Sequence, residues 1–179
     1  REFIILNLKK EIKENDYIVF KNLVQERLKG KPIAYLTGRK NFWKYEFYIN
    51  QNVLIPRPDT EIIVEQVLKN FKHKKGIYIL DIGIGSGCIL LSILKEKKNF
   101  FGIGIDKSRE CLKISEINAF KLGVKKRVKF IKSDIDNFTN GKYDLIISNP
   151  PYIKKNIISK LDKDIRNFEP KLALDGGLE

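Results

Sequence analysis

The sequence predicts an α/β fold, a parallel sheet with helices on both faces, on three observations. From Gly76 onward, short apolar runs alternate with amphipathic stretches in the order strand, helix, strand, helix. Three glycines at alternate positions, Gly83, Gly85 and Gly87, follow the first apolar run directly. An acid, Asp106, ends the second run, 19 residues after Gly87. In open parallel sheets a ligand binds beyond the carboxyl ends of the strands, where such a loop and such an acid meet.

Residues 1–30 read as helical, with apolar positions Ile12, Phe20, Leu23, Val24 and Leu28 and with Gly30 closing the run. Pro32 opens a connecting segment. The aromatic run at 42–49 is β-prone, Asn50-Gln51-Asn52 breaks it, and Val53-Leu54-Ile55 resumes it, which predicts a hairpin turning at 50–52. Pro56 and Pro58 around Arg57 stop further pairing, because neither can donate a hydrogen bond. Asp59 or Thr60 is placed to cap a helix whose inner face carries Ile63, Val64, Val67, Leu68 and Phe71.

The alternation that follows predicts a buried strand at 77–82, a loop at 83–87 and an apolar helix at 88–94. A second strand at 101–105 ends at Asp106. Ser108 caps a helix holding Leu112, Ile114, Ile117 and Phe120, which ends near Gly123. A third strand covers 128–131. A fourth, 143–148, runs straight into Asn149-Pro150-Pro151-Tyr152. Apolar Leu145, Ile146 and Ile147 suit a central strand covered on both faces.

Hydrophobic residues make up 42% of the 179, enough for a core, and no apolar run approaches the roughly 20 residues of a membrane span. No secretory signal is visible. The net charge of +13 favours polyanions, so a weak contact with nucleic acid or a ribosome is one reading. Lysine spread through an Ile- and Asn-rich chain is equally a compositional bias. His73, inside Lys72-His73-Lys74-Lys75, reads as a solvated loop residue rather than a ligand, and no metal site is expected. Cys88 and Cys111 read as small core residues rather than a disulfide. The absence of methionine, even at position 1, marks an expected fragment or processed form.

Glycines at 83, 85 and 87 let the backbone turn sharply and approach a ligand closely. Ile84 and Ser86 complete the loop, and Asp106 is placed to accept both hydroxyls of a ribose. Asp81, just before the loop, is placed to bind an ammonium group or to order the glycines. Together these predict an adenosine site. The spacing G-x-G-x-G differs from the dinucleotide fingerprint G-x-G-x-x-G, which leaves NAD as the rival ligand at this point.

Asn149-Pro150-Pro151-Tyr152 weighs against NAD. The prolines end sheet pairing and stiffen the turn, so the Asn side chain projects towards the ligand's reactive end. An amide or aromatic amine nitrogen is a poor nucleophile, since its lone pair is delocalised. The Asn149 side-chain oxygen and the Pro150 carbonyl can each accept one of its N–H groups, which fixes the nitrogen in line with an incoming methyl. The Tyr152 ring can pack on the flat face of the acceptor.

These residues resemble a known family. The glycine loop and following acid are similar to class I S-adenosylmethionine methyltransferases, with their Rossmann-like fold, and Asn149-Pro150-Pro151-Tyr152 resembles their amino-methylating branch. Pro32-Ile33-Ala34-Tyr35-Leu36-Thr37-Gly38 with Phe42-Trp43, and Leu54-Ile55-Pro56-Arg57-Pro58-Asp59-Thr60-Glu61, resemble the release factor glutamine methyltransferases of the HemK/PrmC type. Glu169-Pro170-Lys171-Leu172-Ala173-Leu174-Asp175-Gly176-Gly177 fits the same family. The resemblance spans residues 32–179.

The resemblance implies transfer of a methyl group from S-adenosylmethionine to the N5 amide of the glutamine in the Gly-Gly-Gln loop of peptide chain release factors. It implies a partial helical N-terminal, substrate-binding domain at 1–31, a connecting segment and β-hairpin at 32–58, and a catalytic domain at 59–179. Carried over, Gly83, Gly85 and Gly87 border the cofactor, Asp106 holds the ribose, and Asn149, Pro150, Pro151 and Tyr152 hold the glutamine. Arg57 and Pro58 lie near the mouth of the site, or serve only as a helix entry. Ile135 stands where the family often has an aromatic residue beside the adenine. The family fold continues with further strands, so a C-terminally truncated sheet with an open fourth strand is expected, and with it poor solubility or weak activity. A monomer in a bacterial-type cytoplasm, or in an organelle of bacterial origin, is the expected setting. An adenine-N6 nucleic-acid methyltransferase and an inactive remnant stay open as alternatives.

Overall fold

The computed structural model describes residues 5–7 and 9–178. The helical reading of residues 1–4 and 8 lies outside the described residues. The first named helix, α1, is Glu14–Leu28. Residues 9–13 are not helical: Lys13 is extended (ψ 143°). Lys9 and Lys10 would stand one turn from Lys13 in a helix, a like-charge arrangement that disfavours it. The apolar stripe read on this segment does not meet a core, because α1 buries no residue and Phe20 and Leu28 are exposed. Gly30 closes the run at φ 99°, as expected. A short helix α2, Ile33–Thr37, follows Pro32 and ends at Gly38 in the left-handed region.

The hairpin exists, but not where the sequence put it. Its strands are β1, Arg39–Phe42, and β2, Tyr45–Tyr48, paired antiparallel from Arg39↔Tyr48 to Phe42↔Tyr45. The turn is Trp43-Lys44, and Trp43 takes φ 57°, which costs a non-glycine residue energy. Outside anchors hold it there. The Trp43 backbone N–H donates to Glu61 (2.8 Å) and its indole N–H to Glu96 (3.0 Å). The register sends Phe42 and Phe47 into the core, edge to face with ring centroids 6.2 Å apart. Val53-Leu54-Ile55 forms no strand; Val53 and Ile55 are buried as loop residues.

Pro58–Thr60 makes a single 3-10 turn that leads into α3, Glu61–Asn70. Neither Asp59 nor Thr60 makes the expected cap, since no side-chain cap hydrogen bond forms at either helix start. The predicted inner face holds: Val64 and Val67 are buried, and Ile63, Leu68 and Phe71 pack against the core. The parallel sheet comprises β3 (Tyr78–Ile82), β4 (Phe101–Asp106), β5 (Val128–Lys132) and β6 (Leu145–Ser148), in spatial order β5-β4-β3-β6. The register aligns Ile82 with both Ile105 and Ser148, so all strands end along one line. Helix α4, Cys88–Glu96, packs against α3 and β4; α5, Arg109–Lys121, packs against β4, β5 and the hairpin strand β2.

Ser108 caps α5 as predicted, its hydroxyl accepting from Cys111 N at 3.3 Å. The apolar positions read on α5 divide: Ile114 is buried and Leu112 packs against the core, whereas Ile117 and Phe120 are exposed, and Ser115, Asn118 and Ala119 share the buried face. Burial of an amide is costly unless it is bonded, and Asn118 makes three hydrogen bonds. Two glycines in β4 let α4 and the loop after β3 approach closely. A Cβ at Gly102 would lie 2.8 Å from Leu90, and one at Gly104 2.1 Å from Ile84. Among the described residues β6 has no strand beyond it, and Ile146 is exposed on it rather than covered. A last short helix, α6, spans Lys163–Phe168. No helix among the described residues is long and apolar enough to cross a membrane.

Candidate active site

A cavity of about 550 Å³ opens beyond the carboxyl ends of the strands, a size that suits a nucleoside-containing ligand. Four strand ends supply its floor. After β3 come Gly83, Ile84, Gly85 and Ser86; at the end of β4, Asp106, followed by Lys107 and Ser108; after β5, Ser133, Asp134 and Ile135; after β6, Asn149, Pro150 and Pro151. Arg57 and Thr60 wall it from the segment after the hairpin, and Pro170, Leu172 and Ala173 from the C-terminal segment.

The glycine loop is shaped to leave room. Gly83 and Gly85 take φ 72° and 55°; a Cβ at Gly83 would meet nothing within 4 Å, so a side chain there would project into open space. The loop is held from behind. Asp106 accepts from Gly85 N (3.0 Å) and from Ser108 N (2.8 Å). Each carboxylate oxygen keeps acceptor capacity for a ligand hydroxyl. Ser115 Oγ donates to the Gly85 carbonyl (2.8 Å) and Asn118 Nδ2 to the Ser86 carbonyl (2.9 Å). The same Asn118 amide donates to Tyr48 O (2.9 Å) and accepts from Tyr48 N (2.7 Å). One buried side chain thus ties the hairpin to the loop.

Several residues read as site residues from sequence stand behind the cavity wall. Gly87 caps α4 at φ 80° and packs on Leu91. Asp81 is buried under the loop, because strand alternation turns it away from the cavity. Burial pushes its carboxyl up to about 8, the charge of Asp106 adds to this, and the backbone N–H of Leu90 opposes it. Tyr152 is 80% exposed and does not line the cavity, and Pro58 opens the turn before α3 outside it. The Ile84 side chain fills the space over Gly104, so the cavity meets it only in part.

Three residues that the sequence reading did not single out belong to this region. Asp134 pairs with Lys107 through Oδ2 (2.7 Å), while its Oδ1 is buried without a hydrogen-bond partner among the described residues. It is an unused acceptor at the cavity wall. Glu169, buried, accepts from Arg57 Nη2 (2.5 Å) and from Ile55 N (3.3 Å). Asn118 is the third. Its signal was a polar residue on the inward side of an amphipathic helix, which periodicity alone treats as noise. Cys88 and Cys111 are free thiols at the wall. Burial pushes Cys88 up to about 12 and Cys111 up to about 11, which disfavours the thiolate at both.

Known proteins match this arrangement. Residues 1–38 match the PrmC N-terminal domain, and residues 58–166 the Methyltransferase small domain. The release factor glutamine methyltransferase of Caulobacter vibrioides is 38% identical over 178 residues, covering 99% of this chain and 62% of that protein. The protein of the same name from Buchnera aphidicola subsp. Acyrthosiphon pisum is 42% identical over 174 residues, covering 97% and 62%. The chain therefore spans about 62% of the length of these relatives. Among solved structures, the hMettl16 catalytic domain superposes with a TM-score of 0.60 at 17% identity, covering 73% of this chain and 50% of that one. With its glycine loop, its acid after β4 and its Asn-Pro-Pro-Tyr turn all inside or beside the matched segment, the chain belongs to the Methyltransferase small domain family.

Proposed function

We propose that the cavity binds S-adenosylmethionine and that the chain is the methyl-transferring part of a release factor glutamine methyltransferase. The observation that carries this is the meeting of Asp106 and Asn149-Pro150 on one cavity at the strand ends. The residues fit the cofactor. Asp106 takes the ribose hydroxyls, the glycine loop leaves space for the amino-acid portion, and Ile135 offers the adenine an apolar face. Asp134 Oδ1, the unpartnered acceptor, suits the adenine amino group. When bound, the cofactor supplies an electrophilic methyl group on a sulfonium.

At the other end, the Asn149 side-chain oxygen and the Pro150 carbonyl accept the two N–H groups of a glutamine side-chain amide. Held so, the nitrogen would face the methyl group that the cofactor would supply, with S-adenosylhomocysteine as the product left behind. Positive charge that gathers on the nitrogen is stabilised by those two acceptors, and its proton leaves afterwards to solvent. No strong general base is needed. Tyr152, exposed beside the prolines, is free to close over a bound peptide. The substrate is the Gly-Gly-Gln loop of a release factor; the relatives' names, which speak of a release factor and a glutamine, support that class of substrate. Their bacterial sources fit a cytoplasmic place of work.

The test is mass spectrometry of a Gly-Gly-Gln peptide, or a whole release factor, incubated with this chain and S-adenosylmethionine. A gain of one methyl on the glutamine is expected. Asn149→Ala should slow that gain by about 100-fold, the usual effect of losing a group that acts in the transition state. No methyl gain with the native chain, or native turnover in the variant, would refute the assignment.

A further inference from the structure

The motif 169–177 walls the cavity only in part, and no step of the reaction uses its one buried charged residue, Glu169. Its geometry explains it. Both Glu169 carboxylate oxygens are bonded, one to Arg57 Nη2 and the other to Ile55 N, so the start of the motif is fastened to the segment that follows the hairpin. The side chain of Glu169 is 1% exposed and that of Arg57 38%. A buried carboxylate is tolerated only when so paired, and removing its partner is costly.

From that anchor, a 3-10 turn at Lys171–Ala173 swings the chain towards the Asn149-Pro150-Pro151-Tyr152 turn, with Leu174 buried beneath it. Neither Pro150 nor Pro151 has an N–H, so neither can donate a backbone hydrogen bond to hold that turn. The first backbone bond after the tetrapeptide is made by Ile153, whose N–H donates to Leu174 O (3.1 Å). Gly176 N donates back to Ile153 O (2.9 Å), and Lys155 N donates to Gly177 O (2.9 Å). Gly176 itself lies against the turn. A Cβ there would sit 2.9 Å from both Pro151 O and Tyr152 Cα, all backbone with no side chain to give way.

We propose that residues 169–177 form a clamp that sets the position of the acceptor-amide turn, with Glu169 and Gly176 as its positioning residues. Glu169 fixes one end of the clamp to Arg57 and Ile55, and Gly176 allows the other end to press on Pro151 and Tyr152. Neither residue touches the reacting atoms. They act through where Asn149 and Pro150 stand, and an error of about 1 Å there costs on the order of 100-fold in rate. This inference rests on the proposed function for its kinetic consequence, but not for its mechanical one.

The experiment compares the native chain with Glu169→Gln, Gly176→Ala and, as a distant control, Gly123→Ala. Gly123 has φ 71° with open space around it, so its variant strains the backbone far from the site. Hydrogen exchange of the backbone amides in residues 149–155 is read alongside kcat on a Gly-Gly-Gln peptide and the Kd for S-adenosylhomocysteine. Both clamp variants should speed exchange in 149–155 while leaving β3 protected. They should lower kcat by about tenfold or more with Kd unchanged within about twofold. The control should change neither. Unchanged exchange in 149–155 overturns the clamp, as does a fall in kcat that cofactor affinity or the control matches. If the native chain fails to methylate the peptide, the proposed function falls, and exchange at 149–155 still decides the clamp.

Discussion

Asn118→Ala removes the one side chain, among the described residues, that hydrogen-bonds the hairpin to the glycine loop. The variant strands three backbone groups at once: Tyr48 N–H, Tyr48 C=O and Ser86 C=O. A buried group left unsatisfied costs about 1–3 kcal/mol, with the lower end fitting half-buried Tyr48. The total comes to about 3–4 kcal/mol, a large share of the roughly 5–15 kcal/mol that stabilises a domain. Ser115→Ala breaks a single bond, to Gly85 O, and should cost about 1 kcal/mol. Urea unfolding at 25 °C, followed by tryptophan fluorescence, measures both. Trp43 is the chain's single tryptophan and sits in the hairpin turn. A loss under about 1 kcal/mol for Asn118→Ala, or one no greater than for Ser115→Ala, would show that water replaces the amide and that the link carries little energy.

Two further outcomes test the site. Asp106→Ala should weaken S-adenosylhomocysteine binding by at least about tenfold in calorimetric titration, since each hydrogen bond to a charged acceptor is worth about 1.5–3 kcal/mol; unchanged affinity would remove Asp106 from the ribose site. Asp81 has a native pKa of about 8, above the roughly 3.9 of an unfolded aspartate. The native state holds the proton more tightly, so the stability that this group contributes is complete below about pH 4 and drains away as pH rises to about 8. Asp81→Asn should flatten the fall in Tm between about pH 5 and pH 8, and parallel curves for variant and native chain would show that the carboxyl is ionised throughout.

The strand ends of the sheet were legible because each is an apolar run closed by a residue with its own chemistry: glycine after β3, Asp106 at β4, Asn149 after β6. The hairpin was not. Arg39-Lys40-Asn41 is too polar to look like a strand, and Asn50-Gln51-Asn52 has the composition of a turn. The true turn at Trp43-Lys44 depends on Glu61 and Glu96, one of them 53 residues away, and no local window contains that pairing. The residues in and around the cavity to which the sequence reading assigned no role of their own share this trait. Asp134, Asn118 and Glu169 are ordinary polar residues in their own neighbourhoods, and only contacts distant in sequence reveal Asn118 and Glu169. In the opposite direction, Asp81 and Tyr152 carried strong local signals but stand outside the cavity, since a sequence pattern marks a position in the chain and not the side towards which a side chain turns.

The contact between Ile84 and Gly104 has a bearing on how this protein can change over generations. The isoleucine methyl occupies the volume where a side chain at position 104 would stand. Neither position is free to vary alone. An alanine at 104 requires the Ile84 side chain to turn aside or to shrink, and a smaller residue at 84 leaves a void until 104 grows. Descendants of this chain are therefore channelled along a narrow route in which the two sites exchange bulk in step, and in a set of divergent relatives their sizes should be anticorrelated.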